Sequence, residues 1–159
     1  MGIKFYESGG NSRVRVENFK EIVVQIFDYR EEYIKVKNIA RKILEFPEIS
    51  KYHSKMMSFD DDKLHIYWKK ILCLNQMKDY KNQIIQNYEK MLEHIIKSIY
   101  GLNRLGYEHN DVSIDNIGMR DGYFVLYDYN MSKKKTNNSI ENDIQKFYKS
   151  IDFHINLCI

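Results

Sequence analysis

The chain has 159 residues, of which 43% are hydrophobic and 30% are charged, with 25 lysines and arginines against 22 aspartates and glutamates. This length suits one compact domain or two small lobes that share a cleft, and a chain of this size buries about two-thirds of its unfolded surface. The net charge of +3 is small and both signs are interspersed, so the composition argues against a dedicated nucleic-acid binder.

Cysteine content and hydropathy indicate in which cellular compartment the protein is expected. Cys73 and Cys158 are too few for a disulfide framework and lack zinc-ligand spacing. They predict free thiols in a reducing environment, so we expect an intracellular protein, cytoplasmic or nuclear. No apolar run approaches the ~20 residues of a membrane-spanning helix, so we expect no membrane span. The bias towards Ile, Asn, Lys and Tyr indicates an AT-rich genome, and for a viral source the compartment would be the host cell.

The first 27 residues predict three antiparallel strands, at 3–7, 13–19 and 21–27. The second alternates strictly between arginine and valine, which predicts a strand buried on one face. The third, "EIVVQIF", is an apolar and β-branched run that is typical of a more buried strand. The turn "SGGNS" joins the first two strands, so we expect a meander.

A helix is expected after the third strand, with Asp28 as N-cap and Glu31 as its capping-box partner. Apolar residues recur at helical spacing as far as Leu44, and Pro47 marks the expected end. The segments "SKMMSFD" and "KLHIYWKKI" flank the polar turn at 60–62. They predict a second hairpin that completes a small sheet.

The second half of the chain is mainly helical in pattern. From about residue 79, apolar residues recur every three or four positions and predict a single helix of roughly 22 residues that ends near Gly106. "NIGMR" and "YFVLYD" flank Asp121–Gly122, a strong signal for a tight hairpin. After a solvated loop, a last helix is expected from about Glu141. This order of elements predicts an α+β fold with two lobes.

Three oxygen-bearing side chains, Asp111, Asn116 and Asp128, are brought together if the hairpin folds about its Asp-Gly turn. Residues whose numbers sum to about 243 then face each other, which sets Asn116 opposite Tyr127 and next to Asp128. Mg²⁺ prefers oxygen ligands and takes few of them from protein, and a remaining carboxylate can accept a proton from a hydroxyl. Turn or capping roles explain any one of these residues, but the spacing of all three favours a magnesium site.

"HND", with an asparagine five residues after its aspartate, and the later "DYN" resemble the catalytic-loop and metal-binding motifs of eukaryotic-type protein kinases. The segments "YEHND…LYDYNMSK" are especially similar to those of haspin-like kinases. The serine at position 113 resembles the catalytic loop of small atypical kinases of the RIO type. The resemblance implies a minimal protein kinase-like fold. Residues 1–72 would form the N-lobe, with a small antiparallel sheet and one helix, and residues 73–159 a truncated, mostly helical C-lobe.

The resemblance also implies roles for particular residues. Asp111 would be the catalytic base, while Asn116 and Asp128 would hold Mg²⁺ for bound ATP. His109 would brace the loop, and Asp143 would anchor it from below. The implied activity is transfer of the γ-phosphoryl group of ATP to a Ser or Thr hydroxyl of a protein substrate.

The nucleotide-binding half departs from the kinase pattern. Gly9 and Gly10 stand where the family has a glycine-rich loop, and Gln25 stands where it has a lysine that holds the phosphates. An amide donates hydrogen bonds but carries no charge. The slot of the helix glutamate that pairs with that lysine falls on Val36 or Lys37, counted back from Pro47. The residues that could supply the missing charge are Lys37, Lys20, Arg13 and Arg15.

These departures leave other functions open. A pseudokinase would keep the fold and bind a partner kinase or its substrate, as a decoy or regulator. A small-molecule kinase of the aminoglycoside or choline type also has Asp and Asn five residues apart. Losing one charged phosphate contact costs roughly 10²–10³ in rate, which would cripple transfer without abolishing it.

Overall fold

The computed structural model describes residues 5–8 and 11–156, with side chains described from residue 14. The strands are β1 (Phe5–Ser8), β2 (Asn11–Asn18), β3 (Ile22–Phe27), β4 (Met56–Asp60), β5 (His65–Lys69), β6 (Leu72–Cys73), β7 (Tyr107–Glu108), β8 (Ile117–Arg120), β9 (Tyr123–Leu126) and β10 (Lys133–Lys134). The helices are α1 (Arg30–Leu44), α2 (Pro47–Ser50), α3 (Tyr80–Gln86), α4 (Tyr88–Arg104) and α5 (Ser139–Asn156). Within these described ranges, no helix combines the length and the apolar character needed to cross a membrane.

Five antiparallel strands form the larger sheet, in the order β1-β2-β3-β5-β4. The predicted meander and the predicted second hairpin are both confirmed. Successive residues of a strand face opposite sides of a sheet, so Val14, Phe27 and Ile66 share one face and are buried there. That face is covered by α1.

Helix α1 covers the sheet with an apolar stripe at helical spacing. The buried residues of this stripe are Tyr33, Val36, Ile39, Ala40 and Ile43. The predicted N-cap was wrong, because Tyr29 rather than Asp28 holds that position, without a capping bond from its side chain. The carbonyl of Tyr29 accepts the first helical bond, from the amide of Tyr33 at 3.2 Å.

Helix α4 is the centre of the second lobe, where it contacts the β8–β9 hairpin and α5. The buried core of this lobe is formed by Leu74, Ile84, Met91, Ile95, Ile99, Val112, Ile114, Ile117, Phe124, Leu126, Phe147 and Ile151. The single helix predicted from residue 79 is instead two helices, α3 and α4, which meet at Asn87. The Asn87 side chain donates from Nδ2 to the Gln83 carbonyl at 3.0 Å. Such a local bond from an asparagine side chain competes with helix continuation.

The β8–β9 hairpin has the predicted register. Arg120 pairs with Tyr123 and Ile117 with Leu126, so the paired numbers sum to 243. Asp121 and Gly122 at the turn both have positive φ, 54° and 82°, which is the geometry that Asp-Gly turns favour. The pairing continues one step further, because the amide of Tyr127 donates to the carbonyl of Asn116 at 3.0 Å. Asp128 is the next residue after Tyr127 and therefore lies beside Asn116.

The short strand β6 joins the two lobes and lies against β8. It follows β5 of the large sheet by only a few residues and pairs with β8 at Met119 and Gly118. A Cβ atom at Gly118 would lie 2.8 Å from the Leu72 carbonyl oxygen, so the close approach of these strands requires glycine there. The result is a small two-lobed α+β fold with the β8–β9 hairpin next to the connection.

Candidate functional site

A cleft of about 490 Å³ lies between the large sheet and the second lobe. Its sheet wall is formed by Val16, Asn18, Val23, Gln25 and Trp68. Its opposite wall is formed by Asp111, Ser113, Asp115, Asn116, Tyr127 and Asp128. The connection between the lobes closes one side through Lys69, Lys70, Ile71 and Cys73. One wall is thus partly apolar, while the other carries the three side chains predicted to form a magnesium site.

The loop that carries Asp111 is held in place by a carboxylate from α5. Asp143 is only 2% exposed, and its two oxygens accept the amides of His109 and Asn110, each at 2.9 Å. One buried carboxylate therefore satisfies two backbone donors that would otherwise be costly to bury. The resemblance to protein kinases implies this anchoring role for Asp143.

His109 is fully buried beneath the same loop. The Asp111 amide donates to its Nδ1 at 3.2 Å, so the ring proton lies on Nε2, which donates to the Tyr127 carbonyl at 2.9 Å. Burial lowers the pKa of His109 to about 4, so the ring is neutral at physiological pH. The ring ties the loop before Asp111 to the strand end before Asp128.

Asp111 and Asn116 are in direct contact. Asn116 is 7% exposed and donates from Nδ2 to both Oδ2 and the backbone carbonyl of Asp111, each at 2.9 Å. These bonds fix the amide group, because they use its nitrogen and leave Oδ1 as the atom able to bind a cation. Burial raises the pKa of Asp111 above its usual range, and the bond from Asn116 opposes that rise.

Asp128 follows the end of β9 in a left-handed backbone conformation, with φ of 64°. Its Oδ1 accepts the Asn130 amide at 3.2 Å. The pKa of Asp128 is raised to about 6, mainly by burial and also by the charge of Asp111, while the bond from the Asn130 amide and the charge of Lys35 oppose the rise. The charge of Asp111 thus disfavours ionisation of Asp128, and a divalent cation bound at Asp128 would oppose that effect.

The donor set fits Mg²⁺ better than a transition metal. It consists of two carboxylates and one amide oxygen, and Mg²⁺ is usually held by one or two carboxylates with water and phosphate completing its shell. Clusters of three or more His, Cys, Asp or Glu side chains with metal-binding geometry are absent from the part of the chain that the structure describes. Asn116 and Asp128 are the residues that would hold the ion, with the Asp111 carboxylate beside them.

We expect Asp128→Asn to stabilise the protein without ligands at neutral pH. The folded state raises the pKa of Asp128 from 3.8 to about 6, so stability falls as pH rises through that window. Asparagine cannot ionise, so the variant should exceed the wild type by roughly 1–3 kcal/mol near pH 7 and match it near pH 3.5. Urea unfolding at both pH values measures this, with exposed Asp62→Asn as the control; equal stability at pH 7 would contradict it.

Gln25 lies in the cleft wall, but its amide is already bonded at both ends. Trp68 donates from Nε1 to Gln25 Oε1 at 3.0 Å, and Gln25 donates from Nε2 to Asn130 Oδ1 at 2.8 Å. Trp68 also stacks on Tyr129, with ring centroids 5.9 Å apart. Gln25 therefore connects the sheet to the segment that follows Asp128.

Lys37, which the sequence predicts as a nucleotide-binding residue, is not among the residues that line the cleft. Its Nζ donates to Asp61 Oδ1 at 2.7 Å and lies 4.8 Å from the ring centroid of Phe59. Gly9 and Gly10, the other candidate nucleotide-binding residues, lie outside the described residues. The predicted nucleotide-binding set is thus not assembled as a whole among the residues described.

Lys35 is a charged residue near Asp128 that the sequence did not single out. Its Nζ donates to the Asn130 carbonyl, and its charge acts on Asp128. Burial lowers the pKa of Lys35, and the charges of Glu32 and Asp128 oppose that effect. Helix positions two apart point about 200° apart, so Lys35 and Lys37 flank opposite sides of the stripe.

Comparison with known proteins shows the fold class and no family. No family model matches the chain, and no curated protein matches it. Among solved structures, the crystal structure of WbdD is similar, with a TM-score of 0.59 and 15% sequence identity. The match covers 97% of this chain and 38% of WbdD, so this chain spans well under half of that protein's length. At this identity the likeness concerns the fold alone.

Proposed function

We propose that the chain is an ATP- and Mg²⁺-dependent phosphotransferase with a minimal protein kinase-like fold, directed at Ser or Thr hydroxyls of a protein substrate. The observation that carries this proposal is the convergence of Asp111, Asn116 and Asp128 on one wall of the cleft. The cleft volume of about 490 Å³ is within the usual range for small-molecule sites. Its apolar sheet wall would suit a nucleotide base.

In this proposal Asp111 orients the acceptor hydroxyl and takes its proton. A base works best when its pKa approaches the working pH, and burial raises the pKa of Asp111 in that direction. The bond from Asn116 Nδ2 to Asp111 Oδ2 holds the carboxylate while leaving Oδ1 of Asp111 for the hydroxyl. Asn116 Oδ1 and the Asp128 carboxylate would hold Mg²⁺, which when bound neutralises charge on the transferred group.

The test is transfer of radiolabelled γ-phosphoryl from MgATP to the chain itself and to a mixture of unstructured Ser- and Thr-containing peptides. The proposal expects label on Ser or Thr that depends on Mg²⁺. Label that appears only on free amino sugars or choline would instead support a small-molecule kinase. Binding of MgATP with no transfer to any acceptor would contradict the enzyme proposal.

A pseudokinase is the second candidate, and Gln25 is the observation that favours it. Gln25 carries no charge, and Trp68 and Asn130 already bond its amide. A protein of this kind would bind a partner kinase or a kinase substrate and not transfer phosphate. Co-purification with a kinase, together with absent transfer, is the result that would select this candidate.

A further inference from the structure

We propose that Lys35, on α1, supplies the positive charge for the phosphates of the nucleotide that Gln25 on the sheet cannot supply. The inference rests on the proposed function and deepens it, because it names the residue that completes the phosphate-binding half of the site. A phosphotransferase needs fixed positive charge where the phosphates lie. The charge of Lys35 acts on Asp128, which lines the cleft.

The position of the Lys35 ammonium is defined by the segment that follows Asp128. Its Nζ donates to the carbonyl of Asn130, two residues beyond Asp128. Lys35 is also the lysine whose charge acts on the Asp128 carboxylate. An ammonium has three N–H donors, and the Asn130 carbonyl uses one of them. A lysine head on a flexible stem can therefore keep this contact and bind a phosphate oxygen beside Asp128.

Gln25 contributes to the placement of Lys35 through Asn130. The Asn130 side chain accepts from Gln25 at 2.8 Å, while the Asn130 backbone carbonyl accepts from Lys35. Trp68 in turn fixes the Gln25 amide by donating to its Oε1 at 3.0 Å. Hydrogen bonds thus run from the sheet through Gln25 and Asn130 to the Lys35 ammonium. Gln25 therefore helps to position the site, and Lys35 supplies the positive charge.

Four other described lysines, of which Lys69 and Lys70 line the cleft, have hydrogen-bond or ion-pair partners of their own. Lys69 pairs with Asp121 at 3.6 Å, and Lys70 donates to the Phe19 carbonyl at 2.9 Å. Lys37 donates to Asp61, and Lys146 donates to Asn110 Oδ1 at 2.6 Å. None of these four acts on the charge of Asp128 among its resolved influences. Lys35 differs from these four lysines because its ammonium is bonded two residues beyond Asp128 and its charge acts on that carboxylate.

Binding of MgATP to matched variants tests the proposal. We expect Lys35→Met to weaken binding about tenfold or more, because hydrogen bonds between charged groups are among the stronger ones. Lys37→Met is the control, since it makes the same change on the same helix at a lysine that pairs with Asp61 and does not act on Asp128. Calorimetric titration measures both affinities, and circular dichroism checks that each variant is folded.

A labelling experiment on the unmutated chain avoids any dependence on variant folding. In an acyl-phosphate derivative of ATP, a nearby lysine amine attacks the acyl carbonyl, forms an amide and releases ATP. Mass spectrometry should locate the acyl group on Lys35, and excess MgATP should protect that position.

The outcomes separate the two proposals. Equal MgATP affinity in wild type and Lys35→Met, or labelling confined to another lysine such as Lys70, would overturn the role of Lys35 and leave the proposed function standing. No MgATP binding by the wild type would overturn both. Loss of affinity in Lys35→Met alone, with protected label on Lys35, supports both.

Discussion

Asp111→Asn is expected to slow phosphoryl transfer by about 10²–10⁴-fold, the usual contribution of a positioned general base. The asparagine keeps the size of the side chain and can still receive the bond from Asn116 Nδ2 on its remaining oxygen. It cannot accept a proton from the acceptor hydroxyl. Because Asp128 and Asn116 remain, MgATP affinity should stay within about threefold of the wild type, so the loss should appear in kcat.

Rates of transfer at saturating MgATP, measured beside calorimetric affinities, separate these two effects. Asp152→Asn is the control, because Asp152 is exposed on α5 and the substitution is the same. Transfer by Asp111→Asn at more than about one-third of the wild-type rate would remove Asp111 from the role of base.

Asp143→Ala is expected to lower the free energy of unfolding by about 2–5 kcal/mol, because it leaves two buried amide donors without their acceptor. Those donors belong to His109 and Asn110, on the loop that leads to Asp111. The loss should therefore reach catalysis as well as stability, since the loop would no longer be held at the cleft wall. Urea unfolding measures the stability difference.

The control for Asp143→Ala is Asp152→Ala on the exposed side of the same helix, which should change stability by less than about 0.5 kcal/mol. If the two variants have the same free energy of unfolding, the loop is not anchored through Asp143. Partial recovery in Asp143→Asn, which keeps one acceptor oxygen, would support the assignment of the cost to the orphaned amides.

The parts of the fold that follow from local chemistry could be predicted. The Asp121–Gly122 turn fixes its own register, because two residues with positive φ permit only a tight hairpin. That register alone places Asn116 beside Asp128. The metal-binding half of the candidate site could therefore be predicted from the spacing of these residues in the sequence. The meander and the second hairpin were likewise specified by alternation and by polar turns.

The parts that depend on competing local bonds or on tertiary direction could not be predicted. The break at Asn87 arises from a side chain that bonds Gln83, and the apolar period continues across it without interruption. Lys35 was missed because the slot of the helix glutamate was counted back from Pro47, which is the first residue of α2. Helix α1 ends at its C-cap Glu45, two residues earlier, so the count was shifted by two positions. The side of the stripe that faces the cleft depends on how α1 packs on the sheet.

The measurement that tests the central claim most directly is calorimetric titration of ATP into the wild type and Asp128→Asn, each with Mg²⁺ and with EDTA. If the cleft is a magnesium-nucleotide site, the wild type binds ATP with Mg²⁺ and at least about tenfold more weakly with EDTA, while Asp128→Asn shows little difference between the two conditions. Binding by the wild type that is the same with Mg²⁺ and with EDTA, or no binding in either, would contradict the account.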